Sequence, residues 1–502
     1  MGNFGLKSAF ISVLFVLIWT GAAFAAPAIT VTPAVGPPTT KITVKGTGFT
    51  INTPVDVYFD TTPLCLGLAN STGKFSCSFK VPDSAQPVIH WITAVNRKTN
   101  VSAQKTYLVR TNWSSFRNGQ THSGYNRHEN TISRYNAGGL SRLWKKVLGD
   151  RVTSSPAVAN GIVYAGCVDG KLYAFNASTG APKSGFPVAT GGQITSSPAV
   201  ANGVVYVGSS DGKLYAFNAT SGAPKSGFPV TAGGAIYSSP AVANGVVYVG
   251  SDDHKLYAFN ATTGDPKTGF PVTTGDAVES SPAVADGVVY VGSWDKNLYA
   301  FNASTGAAIP GFPVSTGFAA HSSPAVANGV VYVGSLDGSL YAFDASSGAA
   351  IAGFPVTTGD SIYSSPTVAN GVVYVGSDDN KLHAFDAFTG VPRAGFPVTT
   401  GNDISSSPAV ANGVVYVGSW DGNLYAIDAY FGVVLRAFRT GDSISSSPAV
   451  VNGIAYVGSW DRGLYAFSLF GETYSVAKEI AQPAPSALVP DYTLMPQQVQ
   501  EE

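Results

Sequence analysis

The chain has 502 residues, of which 12% are charged, with a formal net charge of −1, six histidines and three cysteines. With no basic stripe, nucleic acid is not expected as a partner. His90, His122, His128, His254, His321 and His383 are scattered without ligand spacing, so no zinc or other metal site is read.

In chain order, residues 1–25 come first. Lys7, the apolar run from Ala9 to Trp19 and the small-residue site Ala23-Phe24-Ala25 predict a secretory signal. The run is too short for a membrane span, and no cysteine lies near the cleavage site to carry a lipid anchor. The mature chain is therefore expected to be exported, to the cell surface, the periplasm or the medium. Residues 28–110 follow as alternating strands ("KITVKGTGF", "VDVYFD", "GKFSCSFKVP", "WITAVN") separated by Gly, Pro and Asn turns, the pattern of a small β-sandwich. Cys65 and Cys77 lie close together in this exported segment and predict a disulfide. Cys167 is left over and is expected to be buried rather than reactive. The opening "VTPAVGPPTTKITVKGTGF" resembles the IPT/TIG immunoglobulin-like domains of surface proteins. Residues 111–138 lead into what comes next.

From residue 139 to 470 the chain repeats itself. Ser-Ser-Pro places its proline at Pro156, Pro198, Pro240, Pro282, Pro324, Pro366, Pro408 and Pro448, six spacings of 42 residues and one of 40. A fixed period of this size means a solenoid, a propeller or an array. Each unit holds four β-rich runs, such as "SPAVA", "VVYVGS", "KLYAFN" and "GFPVT", and no helical periodicity, which makes it one propeller blade. The predicted fold is all-β, an eight-bladed propeller behind a small sandwich. Trp144 precedes Pro156 by 12 residues, as Phe186 precedes Pro198. The strand around Trp144 is thus expected to complete the last blade, whose other strands begin at Ser446, and to remove an open sheet edge. The Pro/Gln-rich tail, residues 471–502, is expected to be mostly disordered.

Trp294-Asp295, Trp420-Asp421 and Trp460-Asp461 invite comparison with WD40 repeats. Aspartate fills this slot in all eight units, however (Asp169, Asp211, Asp253, Asp295, Asp337, Asp379, Asp421, Asp461), and tryptophan precedes it in three. The common element is an Asp-containing tight turn. Instead, "LYAFDASSGAAIAGF" resembles the docking motif of the PQQ-like (quinoprotein) repeats through Ala342, Asp344, Ser347 and Gly348. "NWSSFRNGQTHSGYNRHENTIS" resembles the segment leading into such propellers through Trp113, Phe116, His122, Gly124, Asn126 and Glu129. The chain departs from the motif in carrying Phe for the motif's Trp in most units, and Asn176, Asn218, Asn260 and Asn302 for its aspartate. Those asparagines also form N-x-[ST] sequons, but their recurrence at a turn favours a turn role.

The resemblance implies two functional classes. Its dehydrogenases hold PQQ and calcium on the ring axis beneath a disulfide of adjacent cysteines, with an aspartate base. No adjacent cysteines are present, and near-identical blades supply little of the asymmetric chemistry that such a site needs. A non-enzymatic binding or scaffold module without a cofactor is the favoured reading, its partner a protein or a cell-surface polysaccharide. A carbohydrate-binding ring and a PQQ-dependent dehydrogenase are the alternatives. The candidate surface comes from positions where the copies differ. The residue before Ser-Ser-Pro is Thr153, Thr195, Tyr237, Glu279, His321, Tyr363, Ser405 and Ser445, and the residue before the turn aspartate includes Trp294, Trp420 and Trp460. Both positions belong to one face of the ring. Tyr237, Glu279, His321 and Tyr363, with these tryptophans, form the candidate ligand surface. The competing reading is drift at a solvated channel mouth.

Overall fold

The computed structural model describes residues 26–469 and 480–497, so the expected secretory signal lies outside the described residues. Among the described residues there is no α-helix, and hence none long and apolar enough to cross a membrane.

The N-terminal part is built from two sheets. Ala28–Thr32, Lys41–Thr47 and Phe75–Lys80 make one, while Pro54–Phe59, Thr62–Leu68, Ile89–Asn96 and Ser102–Val109 form the body of the other. Alternation along each strand turns Val44, Val57, Phe75, Ile92 and Tyr107 into a shared core. Cys65 on one sheet is bonded to Cys77 on the other. Cys167 is free and buried in the first repeat, where burial pushes its thiol up to about 12.

Eight sheets follow, each with four strands from the repeats; they are numbered here as blades 1 to 8. Blade 1 runs Ala157–Ala159, Ile162–Gly166, Lys171–Asn176 and Val188–Ala189, all antiparallel, and the next six repeat that order. Blade 8 joins the ends of the ring. Ser141–Val147 pairs with Gly463–Ser468, the pairing predicted from the matched spacing. Trp144 packs against Tyr456 with centroids 5.9 Å apart, the separation of Phe186 from Tyr164 in blade 1.

The two serines of Ser-Ser-Pro do different work. The first accepts, in every blade, a hydrogen bond from the glycine at or next to the end of the second strand, from Gly166 to Ser154 Oγ through Gly458 to Ser446 Oγ. That glycine is dictated by space: a Cβ at Gly208 would collide with Ile236 Cγ2 of the following blade. The second serine bonds blade to blade. Its amide donates to the serine hydroxyl of the next repeat, from Ser155 to Ser197 and onward to Ser447, whose amide donates back to Ser155 Oγ. The turn aspartates are structural throughout. Each accepts from the tyrosine hydroxyl four residues on, or in blade 6 pairs with His383. Asn176, Asn218, Asn260 and Asn302 accept backbone N–H groups two and three residues ahead, the expected turn role.

Residues 113–126 pass from blade to blade along the inner strands. Trp113 exchanges backbone bonds with Val158, and the carbonyls of Ser114, Gln120, Thr121, Ser123 and Gly124 accept from Val200, Val284, Val326, Val368 and Val410. Asn126 Nδ2 then donates to the Val450 carbonyl in blade 8. Glu129 fastens the end of this segment, accepting from the Gly453 amide and from its own turn.

The tail corrects one expectation. Within 471–502, residues 480–497 are not disordered but lie along the sandwich. Pro496–Gln497 pairs with Leu66 and Gly67, the Trp91 indole donates to the Ile480 carbonyl, and Arg97 donates to the Asp491 carbonyl beneath the Tyr492 ring. A composition that cannot form a core of its own still binds an open sheet edge through its backbone.

Deleting residues 139–150 should leave Gly463–Ser468 as a free edge. The expected outcome is soluble aggregate on gel filtration and a lower melting temperature; a monodisperse variant with unchanged melting would contradict the closure.

Candidate functional site

The residue before each Ser-Ser-Pro is held between two anchors. In blades 3 and 4, Ile236 and Val278 are buried on one side, and the serines of the two hydrogen-bond sets on the other. The side chain between them is left to face the axis. All eight of these positions, Thr153, Thr195, Tyr237, Glu279, His321, Tyr363, Ser405 and Ser445, line one depression of about 770 Å³, joined by Asp378, Asp403 and Trp420.

Blades 3 to 6 carry the large polar groups. His321 Nε2 lies 2.9 Å from Glu279 Oε2 on the adjacent blade. The imidazole stands edge to face with Trp294 at 5.7 Å and with Tyr363 at 5.2 Å. On the opposite arc, Trp420 and Trp460 pack at 5.4 Å, and their indoles donate to Ser405 Oγ and Ser445 Oγ. Trp420 lines the depression, whereas Trp294 and Trp460 do not, Trp460 lying beneath the Arg151 guanidinium. The structure thus brings Tyr237, Glu279, His321, Tyr363 and Trp420 together, with Trp294 in contact with His321 and Trp460 with Trp420.

Sequence reasoning missed the carboxylates. Asp378 occupies the same turn position as the three tryptophans, which was the available signal; Asp403 precedes the buried Ile404 at another position where the repeats differ. Burial, and then Asp403, Asp360 and Asp379, pushes the Asp378 carboxyl up to about 6. Asp252 is raised as well, first by burial and then by Glu279 and Asp253. The mouth is therefore acidic and aromatic. A second concavity of about 670 Å³ lies on the other face, against the sandwich. Arg110, Arg127, His128, Asn118, Asn126 and Asn160 are among its lining, and no carboxylate is.

The donor set at the mouth does not fit a calcium-held quinone. Glu279 is paired to His321, the eight turn aspartates are committed to their own blades, and no three His, Cys, Asp or Glu side chains among the described residues converge on one point.

Repeated four-stranded sheets arranged around an axis, with residues that vary between repeats gathered at the channel mouth, define a β-propeller. Residues 128–225, 230–309 and 311–393, together more than half of the chain, match the family described as outer membrane protein assembly factor BamB, whose repeats are PQQ-like. The chain belongs to this family. Among solved structures, BamB from Moraxella catarrhalis is similar at 19% identity, with a TM-score of 0.55 over 66% of this chain and 99% of that one. The quinohemoprotein alcohol dehydrogenase from Comamonas testosteroni is similar at 16% identity, with a TM-score of 0.59 over 74% and 82%. The computationally designed Ika8 protein is similar at 17%, with a TM-score of 0.58 over 65% and 99%. At these identities the likeness shows the fold alone. No curated protein sequence matches the chain.

Asp378 supplies a pH test of the mouth. Its folded-state pKa is raised above the unfolded value of about 3.9, so the folded state binds the proton more tightly and stability falls as pH rises from about 4 to about 6. Asp378→Asn should melt a little higher than the parent at pH 7.5 and lose that advantage at pH 4, the size being limited by partial exposure. An equal gain at both pH values would contradict the assignment.

Proposed function

We propose that the chain is an exported, non-enzymatic binding or scaffold protein, a closed eight-bladed ring carried behind an IPT/TIG-like, immunoglobulin-fold domain. The observation that carries this reading is where the repeats stop being alike. Eight near-identical blades differ at the axis-facing positions of one face, and there a Glu279–His321 pair is flanked by Trp294 and Tyr363. Drift at a solvated rim needs no function, but it does not call for a Glu–His contact between two aromatic rings. Membership of the BamB-type family supports a protein partner. The acidic lining, with Glu279, Asp378 and Asp403, favours a partner surface that is basic or rich in hydroxyl donors.

A second reading rests on the aromatic residues. Tyr237, Tyr363 and Trp420 border the depression beside carboxylate acceptors, an arrangement that stacks on sugar faces and accepts from sugar hydroxyls. A cell-surface polysaccharide is then the ligand. In both readings the protein works without PQQ or calcium.

The test is a binding screen of the purified chain against envelope polysaccharides and basic peptides, followed by Glu279→Ala with His321→Ala. Both side chains are partly exposed, so the double variant should melt within about a degree of the parent and bind at least about tenfold more weakly, a loss of ~1.4 kcal/mol. Undiminished binding would move the site elsewhere. Dye-linked alcohol oxidation on adding PQQ and calcium would overturn the non-enzymatic reading.

A further inference from the structure

The lead-in segment carries a charge that its surroundings do not neutralise. Arg117 is 2% exposed. It lies in the loop between Ser114, bonded to blade 2, and Gln120, bonded to blade 4, yet its Nη2 donates to Thr367 Oγ1 on the inner strand of blade 6 at 2.8 Å. The side chain therefore crosses the interior of the ring. Nε and Nη1 are buried and meet no acceptor among the described residues, and no carboxylate there forms an ion pair with it. Burial lowers the guanidinium pKa to about 9, which leaves it charged at neutral pH. His122 does not help. Burial, and then Arg117 itself, pushes that imidazole down to about 3, so it stays neutral.

The ring has been altered to receive this side chain. The residue after the Ser-Ser-Pro proline is alanine in seven blades and threonine only at Thr367. Thr367 gives its own proton to the Pro408 carbonyl, which leaves its oxygen to accept from Arg117. One N–H of the guanidinium is thereby satisfied, and the charge is not. A buried cation without a counter-charge is strongly destabilising, and each buried donor without an acceptor adds to that. Arginine does not escape by deprotonation, as a buried lysine can.

We propose that Arg117 holds a small inorganic anion, of the size and charge of chloride, inside the ring against the lead-in segment. A halide supplies the missing charge and accepts N–H groups from several directions at once. The near-complete burial of Arg117 leaves no opening for a larger acid. The anion is a component of the folded ring, independent of whatever binds at the mouth.

Crystals grown with bromide in place of chloride test this directly. An anomalous peak is expected within hydrogen-bond reach of Arg117 Nε or Nη1; ordered water there, with bromide only at the surface, would overturn the proposal. In solution, the melting temperature should rise saturably by a few degrees when gluconate is exchanged for chloride at constant ionic strength. Arg117→Met should abolish that dependence, and Thr367→Ala should weaken it. A parent protein indifferent to chloride would overturn the proposal even if a peak appeared at crystal concentration. Should Arg117→Met fail to fold, the parent's bromide map and chloride response decide between the outcomes.

Discussion

One hydrogen bond repeated from blade to blade sets the rest of the architecture. The amide of the second serine in each Ser-Ser-Pro donates to the serine hydroxyl of the next blade, and the circuit returns from Ser447 to Ser155. These groups are buried, so an amide that lost its partner would keep the full cost of desolvation, about 1–3 kcal/mol. The proline that follows has no N–H to orphan in the same crowded place. Because the circuit fixes the inner strands, it also fixes the residue before each serine pair at the axis. The lining of the axial depression is a consequence of the fastening.

Much of this was legible because the sequence repeats. Copies that agree reveal the blade, and copies that disagree reveal the mouth. The pairing of Ser141–Val147 with Gly463–Ser468 could be read from a single matched spacing. Other features lie outside any repeat and left weaker traces. The tail at residues 480–497 has the composition of a disordered segment, and its order comes from contacts with Trp91, Arg97 and an open sheet edge, which no local pattern encodes. Asp403, though inside a repeat, stands two residues before Ser405 at a further position where the copies differ. Arg117 belongs to the lead-in segment, and its one signature in the repeats is a single threonine among alanines.

The two faces of the ring differ in kind. One is open, acidic and aromatic, and variable from blade to blade. The other is crossed by residues 113–126 and adjoins the sandwich, with arginines and asparagines lining the cleft between them. The aspartate turns that resemble a WD signature contribute to neither, since their carboxylates are used within the blades.

Hydrogen exchange of the eight serine amides, from Ser155 to Ser447, tests the account most directly. A closed circuit has no weak joint, so the Ser447 amide, which donates across the seam to Ser155 Oγ, should exchange as slowly as the amides of Ser239 or Ser323 and open only with global unfolding. Rapid exchange confined to Ser447 would show a ring that opens at its ends, and would contradict the account.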